Sequence, residues 1–130
     1  MKKNTILAWA LAVFFGCVSC ASMRLQSVSS MNNTKYTMPV CKDFKAAVCR
    51  AAIGRHWGVQ EVGPNVLRCT LNVRGHSVVV DVVNDGKNFS VVYVDSSNMM
   101  YDANADVINY RYHHWVRNLV KDIQVYAARQ

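Results

Sequence analysis

The chain has 130 residues, 52% of them hydrophobic and 18% charged, with 15 Lys and Arg against eight Asp and Glu and a formal net charge of +7. That size fits one globular domain with a short targeting segment. Basic residues are spread along the chain, as Arg24, Lys35, Lys42, Lys45, Arg50, Arg55, Arg68, Arg74, Arg111 and Arg117, without a block interleaved with aromatics. No nucleic-acid partner is therefore expected.

The N-terminus reads differently from the rest. Lys2 and Lys3 form a basic start, Ile6 to Phe15 an uncharged apolar run, and Gly16-Cys17-Val18-Ser19-Cys20-Ala21-Ser22 a small-residue segment with cysteines. This order is that of an export signal, and the apolar run is shorter than the roughly 20 residues of a membrane-spanning helix. Val18-Ser19-Cys20 resembles the bacterial lipobox, in which the cut falls before the cysteine and its thiol takes a diacylglycerol. The resemblance implies a signal peptide over residues 1–19, lipidation at Cys20, and a palmitate-bearing membrane anchor. Cys17, after Phe14-Phe15-Gly16, is a second candidate, and it stands where the lipobox prefers Leu, Val or Ile. A signal cut by the general peptidase is the plainer alternative. Ala21, with no Asp beside Cys20, implies sorting to the outer membrane, facing the periplasm. Loss of two lysines with the signal lowers the formal charge to +5 (7 − 2).

Residues 20–38 are expected to be the lipidated cysteine and a flexible tether. Ala21 to Thr37 is rich in Ser, Asn, Met and Lys without periodicity, and spans at most about 55 Å when stretched. A single domain then occupies residues 39–130. After Pro39, the spacing predicts a helix over Lys42 to Ile53, with Cys41, Phe44, Val48, Ala51 and Ala52 on one face and Gly54 to stop it. Three cysteines, Cys41, Cys49 and Cys69, form an odd set in an oxidising compartment. On one helix Cys41 and Cys49 would lie about 12 Å apart, so a disulfide would have to join Cys69 to one of them. Three buried free thiols are the alternative.

Trp57 and Val59 predict a short strand broken at Gly63-Pro64. Two-residue turns at Arg74-Gly75 and Asp85-Gly86 predict a three-stranded meander. The first turn pairs Leu71 with Val78, Cys69 with Val80 and Leu67 with Val82; the second pairs Val82 with Phe89, Val80 with Val91 and Val78 with Tyr93. All these residues share one face, and a one-residue slip would bury Arg68 and Asp81. In this register Arg68 and Asp81 face each other on the opposite side. A polar loop over Asp95 to Asp106 leads to a helix over Asn109 to Tyr126. Its apolar stripe is Ile108, Tyr112, Trp115, Val116, Leu119 and Ile123, and its wet side includes His113, His114, Arg117, Asn118 and Lys121. The order α-β-β-β-β-α predicts an α+β two-layer sandwich, an antiparallel meander of three to four strands with both helices on its apolar face.

Trp57-Gly58-Val59, Tyr93-Val94-Asp95-Ser96-Ser97-Asn98-Met99 and Tyr112-His113-His114-Trp115-Val116-Arg117-Asn118-Leu119, with Ile123, resemble a family of small bacterial lipoproteins. Met99 and Met100 stand where Leu is expected, and His113 where Asn is usual. The resemblance spans most of the mature chain and implies an envelope location and this fold; it brings no catalytic residues.

Candidate chemistry is sparse. In the expected register His76 and Asp95 face each other on the core side, with Ser96 and Ser97 following, the residue types of a small serine hydrolase. No Gly-x-Ser-x-Gly elbow accompanies them, and a hydrogen-bonded pair closing the sheet end is the plainer account. His113-His114 point about 100° apart on a helix and do not chelate as an i, i+4 pair would. No cofactor and no metal are expected. Trp115 and Tyr112 at helical spacing read as core; a small-ligand carrier would need a cavity behind Trp115 and Tyr93. The second face of the sheet carries Val79, Val83, Val92 and Val94, which with Tyr93, Asp95 and Tyr101 form a candidate contact surface. The sequence thus predicts a membrane-anchored envelope lipoprotein working by binding or assembly, with an envelope protein or a second copy as partner, and a small envelope hydrolase as the alternative.

Overall fold

A computed structural model describes residues 24–130; the expected signal peptide and Cys20 lie outside the described residues. The chain runs β1 (Leu25–Ser27), α1 (Val28–Asn32), β2 (Tyr36–Thr37), α2 (Phe44–Gly54), β3 (Trp57–Gly63), β4 (Val66–Val73), β5 (His76–Asn84), β6 (Asn88–Ser97), β7 (Val107–Asn109) and α3 (Arg111–Ala128). Strands β2-β6-β5-β4-β3 form one antiparallel sheet, and β1 pairs with β7 in a second, two-stranded one. The expected α+β sandwich is the observed class. Leu67, Cys69, Leu71, Val78, Val80, Val82, Phe89 and Val91 from the five-stranded sheet bury against Val48, Ala51 and Ala52 of α2 and Tyr112, Val116, Leu119 and Ile123 of α3.

Helix α2 starts where local chemistry places it. The Asp43 carboxylate accepts from the Ala46 amide at 3.1 Å, capping α2. Gln130 brackets Asp43 from the other end of the chain: the Asp43 N–H donates to Gln130 Oε1 at 2.6 Å, and Gln130 Nε2 donates to the Asp43 carbonyl at 2.7 Å. Arg55, beyond the last turn of α2, reaches Asp122 of α3 at 2.5 Å. The two helices are thus pinned together at both ends of α2, with alanines between them allowing close approach.

The first hairpin has the expected register, Leu71 opposite Val78 and Arg68 opposite Asp81. Both turn residues, Arg74 (φ 51) and Gly75 (φ 81), are left-handed, as a type I′ turn requires. Arg68 donates twice to Asp81, at 2.9 and 3.0 Å.

The second hairpin corrects the expected pairing. Asn84, not Val82, faces Phe89, so Val82 pairs with Val91 and Val80 with Tyr93. Asp85 explains the longer loop: its carboxylate accepts from the Lys87 and Asn88 amides at 2.9 and 2.7 Å, while Asn84 Oδ1 takes the Gly86 amide at 2.7 Å. A two-residue shift preserves the pleat, so the apolar face survives the error. Further along, Val79 pairs with Asp95 rather than Val94. The extra residue is a bulge, and it turns Asp95 onto the open face and Ser96 onto the core side.

The tether is also corrected. From Leu25 onward the chain is built into the domain. The Asp106 carboxylate accepts from the Ser27 hydroxyl (2.6 Å), the Ser29 amide (2.9 Å) and the Ser29 hydroxyl (2.5 Å). His113 Nε2 donates to the Ser27 carbonyl at 2.7 Å. His113 is accordingly 6% exposed, not on a wet face, and burial pushes its pKa down. Ile108 lies in β7, buried as expected but not helical.

Candidate functional site

The bulge disassembles the serine-hydrolase geometry expected from the sequence. His76 faces Val73, and its Nδ1 donates to the Asn98 carbonyl at 2.6 Å. Asp95 lies on the other side of the sheet, where its carboxylate accepts from the Ser96 amide at 2.8 Å. Ser96 Oγ is hydrogen-bonded to the Tyr93 hydroxyl at 2.7 Å. His76, Asp95 and Ser96 are therefore not brought together.

The candidate contact surface divides. Val79, Val83 and Val92 lie half-buried on the open face around the Arg68–Asp81 pair, with Val94 and Asp95 exposed at its rim. Tyr93 belongs to the other side: it stacks on Tyr101 at 4.3 Å, meets Tyr112 edge-on at 5.9 Å, and its backbone amide donates to Asn32 Oδ1 at 2.8 Å. Burial raises the Tyr93 pKa. Neither of the two hollows that Trp115 borders among the described residues includes Tyr93.

Concave space lies instead at the end of the sheet where the β4–β5 turn approaches the start of α3. One hollow of about 460 Å³ is lined by Val73, Arg74, His76, Tyr110, Arg111, His114 and Trp115. A second, of about 310 Å³, shares Val73 and Trp115 and continues past His56, Trp57 and Asn118. These volumes lie in the range of small-molecule sites. A hollow of about 90 Å³ beside Pro64 is much smaller.

The groove has a consistent sign. None of the eight acidic residues of the chain lines either hollow, and Arg55 at its far end is already paired with Asp122. Arg74 and Arg111 have no acidic partner among the described residues. The Arg111 guanidinium lies 5.4 Å from the Tyr110 ring centre, and His76 tilts against Trp115 at 6.3 Å. Asn118 Nδ2 donates to His114 Nε2 at 3.3 Å, which orients that ring. Three of the four histidines, His56, His76 and His114, border this groove. Among the described residues no three His, Cys, Asp or Glu side chains converge on a metal position.

The sequence marks Arg74 only as a turn residue, and sequence reasoning missed the groove. A usable signal was present: a type I′ turn favours Asn, Asp or Gly at its first position, and this chain puts Arg there. His56 is likewise left-handed (φ 67) and lines the same groove.

Cys41 and Cys49 are half-buried and Cys69 is buried, all three free. Cys41 precedes α2 rather than lying on it. Among the described residues no helix is long and apolar enough to cross a membrane. No protein-family model, curated protein or solved structure matches the chain.

Proposed function

We propose that the protein is an exported bacterial lipoprotein, anchored to the envelope membrane through a diacylglycerol on Cys20, whose domain acts by binding rather than by bond-making. The anchor rests on Lys2-Lys3, the Ile6–Phe15 run and Val18-Ser19-Cys20. What supports contact over hydrolysis is that His76 and Ser96 are each tied to a structural partner, Asn98 and Tyr93, with Asp95 on the opposite face. An outer-membrane site facing the periplasm follows from the absence of Asp beside Cys20.

Metabolic labelling with a radioactive fatty acid tests the anchor. The wild-type chain is expected to incorporate label and to accumulate as precursor with globomycin, whereas Cys20→Ala incorporates none. Recovery of an unlabelled mature chain beginning beyond residue 20 would overturn it. Crosslinking of the anchored protein in intact cells, read by mass spectrometry, then separates an envelope-protein partner from a second copy.

A further inference from the structure

The cationic groove beside Trp115 combines features that a solvated surface does not need. Its two arginines come from different elements, Arg74 from the β4–β5 turn and Arg111 from the first turn of α3, so the fold converges them. A left-handed backbone is unfavourable for a residue with a Cβ, and Arg74 and His56 both carry it at the groove. Both charges stand without acidic partners among the described residues, and the positive end of the 18-residue α3 adds the same sign. Guanidinium forks match tetrahedral oxyanions and bind them in bidentate fashion. Trp115, Tyr110 and Val73 supply an apolar wall beside them.

We propose that this groove is a binding site for a phosphate-bearing ligand, with Arg74 and Arg111 holding the phosphate and the Trp115 side receiving the ligand's body. A phosphate monoester, with charge near −2, matches two arginines better than a single carboxylate does. His76 Nδ1 donates to the Asn98 carbonyl, which fixes the ring at the groove wall. The second hollow, past His56 and Asn118, extends the site for a larger body. The Tyr110 amide donates to the Arg24 carbonyl at 2.8 Å, so the groove wall lies directly against the first described residue, four positions after Cys20. That placement makes a lipid headgroup one source of the phosphate and a soluble phosphate ester the other. The inference deepens the binding reading and is separable from the anchor, because unlipidated chain carries the whole groove.

The test uses mature chain from Cys20 with Cys20→Ala. Tryptophan fluorescence and amide chemical shifts are followed during titration with inorganic phosphate and glucose 1-phosphate. Co-sedimentation is measured with phosphatidylcholine vesicles with and without phosphatidic acid. Arg74→Asn together with Arg111→Gln removes the forks while suiting the turn and the helix. Lys42→Gln together with Arg50→Gln removes the same charge elsewhere. The groove pair is expected to weaken binding by about tenfold or more and the control pair by less than about twofold. Binding of vesicles alone assigns the headgroup as source, binding of esters alone a soluble ligand, and either with this selectivity sustains the site. Absence of binding to every probe, equal loss in the two pairs, or acetate competing as well as phosphate would overturn it.

Discussion

Tyr112 offers a test in which removing an atom should strengthen the protein. Its side chain is fully buried, and its hydroxyl has no hydrogen-bond partner among the described residues. Burial accordingly pushes its pKa well up. A buried polar group left without a partner costs about 1–3 kcal/mol. Tyr112→Phe removes that cost and leaves a void the size of one oxygen; at about 24 cal/mol per Å³ and roughly 15 Å³, the void costs about 0.4 kcal/mol. A net gain of about 1 kcal/mol follows, a rise in Tm of about 4–8 °C for a domain of this size. Tyr93→Phe is the internal contrast. It deletes the hydrogen bond to Ser96 and is expected to cost about 0.5–1.5 kcal/mol. Thermal melts by circular dichroism and urea denaturation with an unchanged slope supply the readings. A loss of about 1 kcal/mol or more in Tyr112→Phe would show that the hydroxyl is satisfied and the reasoning wrong.

Three further expectations follow from the same geometry. Cys69 is buried with its thiol pushed up to about 12, so iodoacetamide at neutral pH should label Cys41 and Cys49 in the folded chain and reach Cys69 only after unfolding; equal rates at all three, by peptide mass spectrometry, would contradict the burial. The Asp106 pKa is lowered, first by the Ser27 hydroxyl bond and then by Ser29, so its contribution is present above the unfolded carboxylate value of about 3.9 and lost as pH falls through the lower folded value. The His113 pKa is lowered by burial, so its neutral ring favours the fold above about 6.5 and that advantage disappears on acidification. Once corrected for the intrinsic exchange rate, protection of the Val28 and Ser29 amides should therefore fall below about pH 6.5 and again below about pH 3.9, and the second phase should vanish in Asp106→Asn. Val79→Lys with Val92→Lys keeps both strands on the open face and tests whether that face makes contacts. On the contact-surface proposal, envelope crosslinks or self-association disappear while the melting curve is retained, and unchanged crosslinks would remove the valine surface from consideration.

Periodicity carried most of the fold into view, and it failed where a side chain reached beyond its own segment. Leu67, Cys69 and Leu71 alternate with polar residues, so the sheet face and the first register were legible from the pleat alone. The second register was not, because Asp85 folds its carboxylate back onto two amides and lengthens the loop without changing the alternation. The bulge at Val94 left no mark in an apolar-rich run, yet it decided where Asp95 points and so removed the hydrolase geometry. Residues 25–33 have no pattern of their own; Asp106 and His113, about 80 residues away in sequence, hold them. His113 was misplaced for the same reason, since its partner is a carbonyl of β1. Arg74 and Arg111 were legible as charges, but only the fold shows them entering one groove.

On the lipoprotein proposal, the segment Leu25–Asn32 links the proposed anchor at Cys20 to the groove in physical terms. With β1 beginning at Leu25, a lipid on Cys20 is separated from Arg24 by four Cα–Cα steps, at most about 15 Å. A tether free to Thr37 would have allowed the domain to wander several times farther. Asp106 and His113 remove that freedom by holding β1 and α1, and the Tyr110–Arg24 hydrogen bond brings the groove wall to the base of the leash. On that proposal, the membrane surface then lies near the side of the domain that carries Tyr110 and Arg111, and its charge acts over a Debye length of about 8–10 Å. On the lipoprotein proposal, the hydrogen bonds that looked merely structural set which face of the domain meets the bilayer, and that face carries Arg74 and Arg111, which have no acidic partner among the described residues.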